Sequence, residues 1–86
     1  MPEITTFYGI RITMYYNDHL PPHFHTEYNE DEALIEINTL EIYAGELPKR
    51  ALRFTLEWAN QHQAELQELW ELSRAGQPLR KLPPLE

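Results

Sequence analysis

The sequence predicts an α+β fold: an antiparallel meander of three to four strands, two helices packed on one face, and an extended C-terminal tail rich in proline and leucine. Three observations carry that prediction. Apolar and polar residues alternate through the first half of the chain, apolar residues recur at three- and four-residue spacing through the second, and Gly45 to Pro48 separates the two regimes. With 86 residues there is room for one hydrophobic core, so a single domain spanning 1–86 is expected.

Residues 6–16 read as the first strand, with Tyr8, Ile10, Ile12, Met14 and Tyr16 on the buried side and Phe7, Gly9, Arg11, Thr13 and Tyr15 on the other. A turn from Asn17 to Pro22 leads to a strand over 23–28. There Phe24, Thr26 and Tyr28 face the core, and His23, His25 and Glu27 share the less apolar side. Asn29-Glu30-Asp31 turns the chain into a strand over 32–37, and Asn38-Thr39 into another over 40–44.

Pro48 suits the first turn of a helix, where its missing N–H costs nothing. Ala51, Leu52, Thr55, Leu56, Trp58 and Ala59 then give the apolar stripe of a helix over 48–60. Leu66, Leu69, Trp70 and Leu72 mark a second helix over 62–75, stopped by Arg74, Gly76 and Pro78. One unbroken helix from Pro48 to Ala75 would reach about 42 Å, too long for so small a core, which places a break at Asn60-Gln61-His62. In the tail, 76–86, prolines interleaved with Leu79, Leu82 and Leu85 favour an extended strap anchored by leucine.

The absence of cysteine excludes disulfides and thiolate metal sites, leaves nitrogen and oxygen as metal ligands, and suits a reducing, cytoplasmic setting. The first residues, Met-Pro-Glu-Ile-Thr-Thr, lack a leader pattern. No apolar run approaches the roughly 18 residues of a membrane span, so no membrane association is expected. A net charge of −7 opposes unaided grip on a phosphate backbone, so nucleic acid contact is expected only through a partner or through Lys49, Arg50 and Arg53. Those cations open the first helix against its dipole. Glu46 and Glu57 are candidate compensating groups within the chain, and a phosphate or acidic partner is the alternative. Most aromatics fall on core periodicity, but Tyr15 and Tyr43, with Leu34 and Phe7, would form a strip on the helix-free side suited to a protein interface or a homodimer.

Three of the four histidines lie within residues 19–25, and histidine is the side chain that exchanges protons near neutrality. His23 and His25, two apart on a strand, project from one face with α-carbons roughly 6.6 Å apart. Three readings follow. His23 and His25, with a third ligand from His19, His62, Asp18 or Glu27 and His19 the better third ligand, would hold a divalent first-row metal and leave a coordination position open. Without metal, His23 and His25 would exchange protons on a phosphodiester or similar substrate, His19 orienting it, Tyr15 or Tyr16 donating and Arg11 contacting the anion. Alternatively, His19 and His23 bond backbone groups and Asp18 and simply tie two strands together.

The runs Phe7-Tyr8-Gly9-Ile10, Met14-Tyr15-Tyr16-Asn17-Asp18-His19 and Pro21-Pro22-His23-Phe24-His25 resemble a bacterial domain-of-unknown-function family, the one numbered four-one-six-zero. The likeness continues through Ala33-Leu34-Ile35, Gly45-Glu46-Leu47-Pro48, Leu56-Glu57-Trp58-Ala59, His62 and the ending Ala75-Gly76 to Pro83-Pro84-Leu85, with Thr26 standing where an aliphatic residue is expected. The resemblance implies a small bacterial protein encoded beside a second small protein, in what looks like a toxin–antitoxin arrangement. It therefore implies a cognate partner and a role as a protein-binding module with a histidine-rich surface, and it transfers no catalytic assignment. A histidine-dependent, metal-assisted nuclease or hydrolase is the competing expectation.

Overall fold

A computed structural model describes residues 3–16 and 18–86. Five antiparallel strands, β1 (Glu3–Phe7), β2 (Ile10–Thr13), β3 (His23–Tyr28), β4 (Asp31–Glu36) and β5 (Ile42–Gly45), lie in chain order across one sheet. Two helices follow, α1 (Lys49–Gln61) and α2 (Gln63–Arg74), and then the extended tail. The fold is the expected α+β meander, with one strand more than the alternation alone suggests.

The extra strand comes from a turn that the alternation conceals. Phe7 and Ile10 pair directly, and the two residues between them, Tyr8 at φ 51° and Gly9 at φ 79°, form a two-residue hairpin. Left-handed conformations at both central positions match the twist of the flanking strands. The expected single strand over 6–16 is thus corrected to a hairpin, and its parity changes with it. Phe7, expected on the helix-free side, lies instead on the same face as Ile10 and Ile12, buried against Trp58 at 5.9 Å between ring centroids. Tyr8 and Tyr16, expected in the core, are exposed.

The core face of the sheet carries Ile10, Ile12, Phe24, Ala33 and Ile35, all buried with Trp58, Ala59, Leu66, Leu69 and Trp70 of the helices. Truncating a tryptophan so enclosed typically costs about 3–5 kcal/mol. Thr26 is also buried on this face. At the far end of the sheet, Gly45 is required by contact as well as by its φ of 78°: a Cβ there would meet the Glu32 carbonyl oxygen at 2.1 Å.

His62 separates the helices as the cap of both, with φ −123° and its ring on Trp58 at 5.1 Å. Gly76 ends α2 at φ 72°, with Gln77 N–H donating to the Leu72 carbonyl at 2.9 Å, the closing bond of a Schellman cap. The tail then returns across the core. Leu82 and Leu85 are buried, Leu82 N–H donates to the Ile4 carbonyl at 3.0 Å, and Trp58 Nε1–H donates to the Pro83 carbonyl at 2.7 Å.

Candidate metal centre

β3 is the central strand, and its first residue emerges from the Pro21-Pro22 turn next to α2. Register places His25 opposite Thr13 and Leu34, and Glu27 opposite Arg11 and Glu32, so the histidines do share the face that carries Arg11. They are less accessible than expected. The His23 side chain is 0% exposed, with its ring 5.4 Å from Trp70, so the reading that both rings stand out from the polar surface is corrected for His23. The reason is position: at the end of β3 the ring is enclosed by Trp70, Tyr43 and the two neighbouring histidines. His25 remains 13% exposed.

Both rings also reach a side-chain carboxylate, and the bonds of His23 to the Pro21 carbonyl and Asp18, with His19 Nδ1 3.2 Å from the Leu20 carbonyl, are those expected if the turn ties the strands together. Asp18 Oδ2 lies 3.1 Å from His23 Nε2 and 3.0 Å from His25 Nε2. Each of the three groups is held from behind. His23 Nδ1 lies 2.7 Å from the Pro21 carbonyl, which can only accept, so this nitrogen carries the proton. His25 Nδ1 faces Glu32 Oε2 at 3.2 Å, and Asp18 Oδ1 accepts the His19 backbone N–H at 2.9 Å. Burial on its own would raise the Asp18 carboxyl. The hydrogen bonds from His25 and the His19 backbone, with the charges of His23 and His25, outweigh it and hold the carboxyl below its ordinary value.

This is the ligand arrangement that divalent first-row metals select: two imidazoles and a carboxylate, with each imidazole N–H anchored to an outer oxygen. Asp18, His23 and His25 offer ligand atoms that all lie within 4.8 Å of one another. Two donors about 2.0–2.1 Å from one ion, at tetrahedral or octahedral angles, lie about 2.9–3.4 Å apart. Both nitrogen–oxygen separations at Asp18 fall in that interval, which overlaps the ordinary hydrogen-bond range. A divalent cation seated among the two Nε2 atoms and Asp18 would take the place of protons there without moving the outer bonds.

The other candidates take different places. His19 is 62% exposed, 3.7 Å from Asp18 Oδ1 and stacked 5.1 Å from His23, beside the cluster rather than converging with it. Tyr15 packs edge-on against His25 at 4.3 Å. Arg11 is not brought to the site: its guanidinium is bound by Glu3 and Glu27, each at 3.3 Å. Glu27 is thereby committed to Arg11, and His62 lies between the helices with Nδ1 2.5 Å from Glu65. Asn17, in the turn the sequence marks, lies outside the described residues. Sequence reasoning missed Glu32, which reaches His25 from the neighbouring strand, and Thr13, whose buried hydroxyl opposite His25 has no partner among the described residues.

Among protein families, residues 9–71 match the model described as a domain of unknown function, DUF4160. Comparison with the curated proteins and with the solved structures finds no match. No helix among the described residues is long and apolar enough to cross a membrane.

Proposed function

Starting from the fact that the chain belongs to the DUF4160 family, we propose that it is a metal-dependent hydrolase of nuclease type, with a divalent first-row ion held by Asp18, His23 and His25. The observation that carries this reading is the single carboxylate oxygen shared by two imidazole nitrogens at 3.0 and 3.1 Å. Asp18, His23 and His25 would hold the ion with coordination positions to spare, and the ion would supply water made more acidic at neutral pH. In this reading His19, exposed beside the cluster, would protonate a leaving oxygen, and Tyr15, edge-on to His25, would brace that ring.

The test is metal analysis of untagged protein, followed by titration of chelator-treated protein with zinc and manganese and by cleavage assays on a fluorogenic phosphodiester and on RNA. About one equivalent of metal is expected. His23→Ala and Asp18→Asn should abolish both metal and cleavage, whereas His19→Ala should slow cleavage with metal still bound. Sub-stoichiometric metal at micromolar protein, or cleavage indifferent to chelator, would overturn the reading.

A second reading rests on β5. This edge strand is exposed along its whole length, and Ile42 and Tyr43 present apolar surface there. An open edge with apolar side chains accepts an added strand. We propose it as the docking point for a cognate small protein of a toxin–antitoxin-type pair. Tyr43→Lys should disrupt a co-purified complex, and a complex of unchanged stability would remove β5 from consideration.

A further inference from the structure

At the opposite end of β3 from the histidines, the β1–β2 hairpin tip and the first turn of α1 enclose a cavity of about 360 Å³ lined by Tyr8, Ile10, Tyr28, Arg50, Ala51 and Phe54. That volume stands at the small end of the range for small-molecule sites. Three of its walls are aromatic rings. Tyr8 is 55% exposed and lies 5.1 Å from Phe54, and it occupies a left-handed turn position where asparagine or glycine would be unstrained. Tyr8 packs on Phe7 and Phe54 with part of its ring and leaves the rest open to solvent.

The cations here are also unaccounted for by the chain itself. The Arg50 and Arg53 guanidinium carbons lie 5.6 and 5.5 Å from the Phe54 ring centroid. Among the described residues neither forms an ion pair, and the compensation expected from Glu46 and Glu57 is not made. In a chain of net charge −7, two guanidinium groups that lie over Phe54 and form no ion pair among the described residues, beside an aromatic cleft, mark a place for a ligand that is both planar and anionic.

We infer that this cavity binds a nucleotide, its base stacked against Tyr8 and Phe54 and its phosphate held by Arg50, with Arg53 adding charge at the rim. Stacking tolerates any base because every base has a π face, and the guanidinium fork matches phosphate oxygens. An acidic peptide would leave the aromatic walls unused, and a hydrocarbon would leave the arginines unused. The site is independent of the metal centre: β3 carries Tyr28 about 17 Å from His23, and Tyr28 faces the other side of the sheet.

The ligand chemistry is shared by free nucleotides and by single-stranded nucleic acid, and one titration separates them. Full-length protein in chelator, so that metal plays no part, is titrated with adenosine 5′-monophosphate, adenosine, inorganic phosphate and single-stranded hexaadenylate, with amide shifts followed by NMR. Saturable shifts at Gly9, Ala51 and Phe54 are expected with the monophosphate, at least tenfold weaker with adenosine or phosphate alone. Tyr8→Ala and Arg50→Ala, both on the surface, should each weaken binding roughly tenfold. Asp18→Asn should leave it unchanged. Equal affinity for monophosphate and hexamer assigns a free-nucleotide site, and a hexamer at least tenfold tighter assigns a nucleic acid strand. No saturable binding of either, or binding untouched in both variants, overturns the inference.

Discussion

The two ends of β3 solve opposite electrostatic problems. At the His23 end, three ionisable groups are drawn inward and every polar atom is committed: Asp18 to two rings and a backbone N–H, His23 to Pro21, His25 to Glu32. At the Tyr28 end, aromatic and cationic groups face outward and are committed to little beyond one another. A closed network resists substitution, because removing one member leaves the others buried and unpaired. An open cluster gives up its members at little cost to the fold. Mutational sensitivity should therefore differ sharply along one strand.

The largest effect is expected at His23. His23→Ala removes a wholly buried ring and both its bonds, and should lower stability by about 2–4 kcal/mol in chemical denaturation, with loss of metal binding. A variant of wild-type stability would break the contrast. Asp18→Asn keeps the volume but removes the shared charge; metal affinity measured by calorimetry should fall by at least about a hundredfold, with nucleotide binding intact. Glu32→Gln touches only the outer bond to His25, and about a 10–100-fold loss of metal affinity is expected, as for other groups that orient a ligand.

The acid limb of stability sharpens the comparison further. Because Asp18 is held below its ordinary value of 3.8, its contribution is fully present above that pH and is lost as pH falls through the lower folded value. Denaturation of wild type and Asp18→Asn should differ at pH 5 and converge as pH falls through the lowered folded value; a constant difference across that range would show that the carboxylate charge is not what matters. The smallest effect is at the open end. Tyr8→Asn should stabilise the hairpin by about 0.5–1 kcal/mol while weakening nucleotide binding, a trade that thermal melts and titration read together.

The sheet and helices were legible because their patterns are redundant: α1 and α2 each bury a stripe at helical spacing, and Pro48, His62 and Gly76 mark their limits. The Tyr8-Gly9 turn was not, because residues 6–16 keep alternating straight through it and Tyr-Gly lacks the Asn-Gly signature of this hairpin. The histidine turn announced itself by composition, and Asp18 was among the ligand alternatives. Which of them converge depends on contacts across strands. Glu32 reaches His25 only through the β3–β4 register, and Arg11 is drawn from the site by Glu3, a partner that exists only because β1 folds back on β2. The burial of His23 likewise depends on Trp70, a residue 47 positions away in the chain.

The tail has an effect beyond filling a gap in the core. By donating from Leu82 to Ile4 and setting Lys81 beside Glu3, it lies against the outer margin of β1, whereas among the described residues β5, at the other margin, is exposed throughout. A ribbon that can extend in one direction only cannot polymerise through its margins: once β5 has taken a single neighbour, growth has nowhere to continue. Cutting the chain before Leu79 would uncover β1 and leave both margins open to a neighbouring strand.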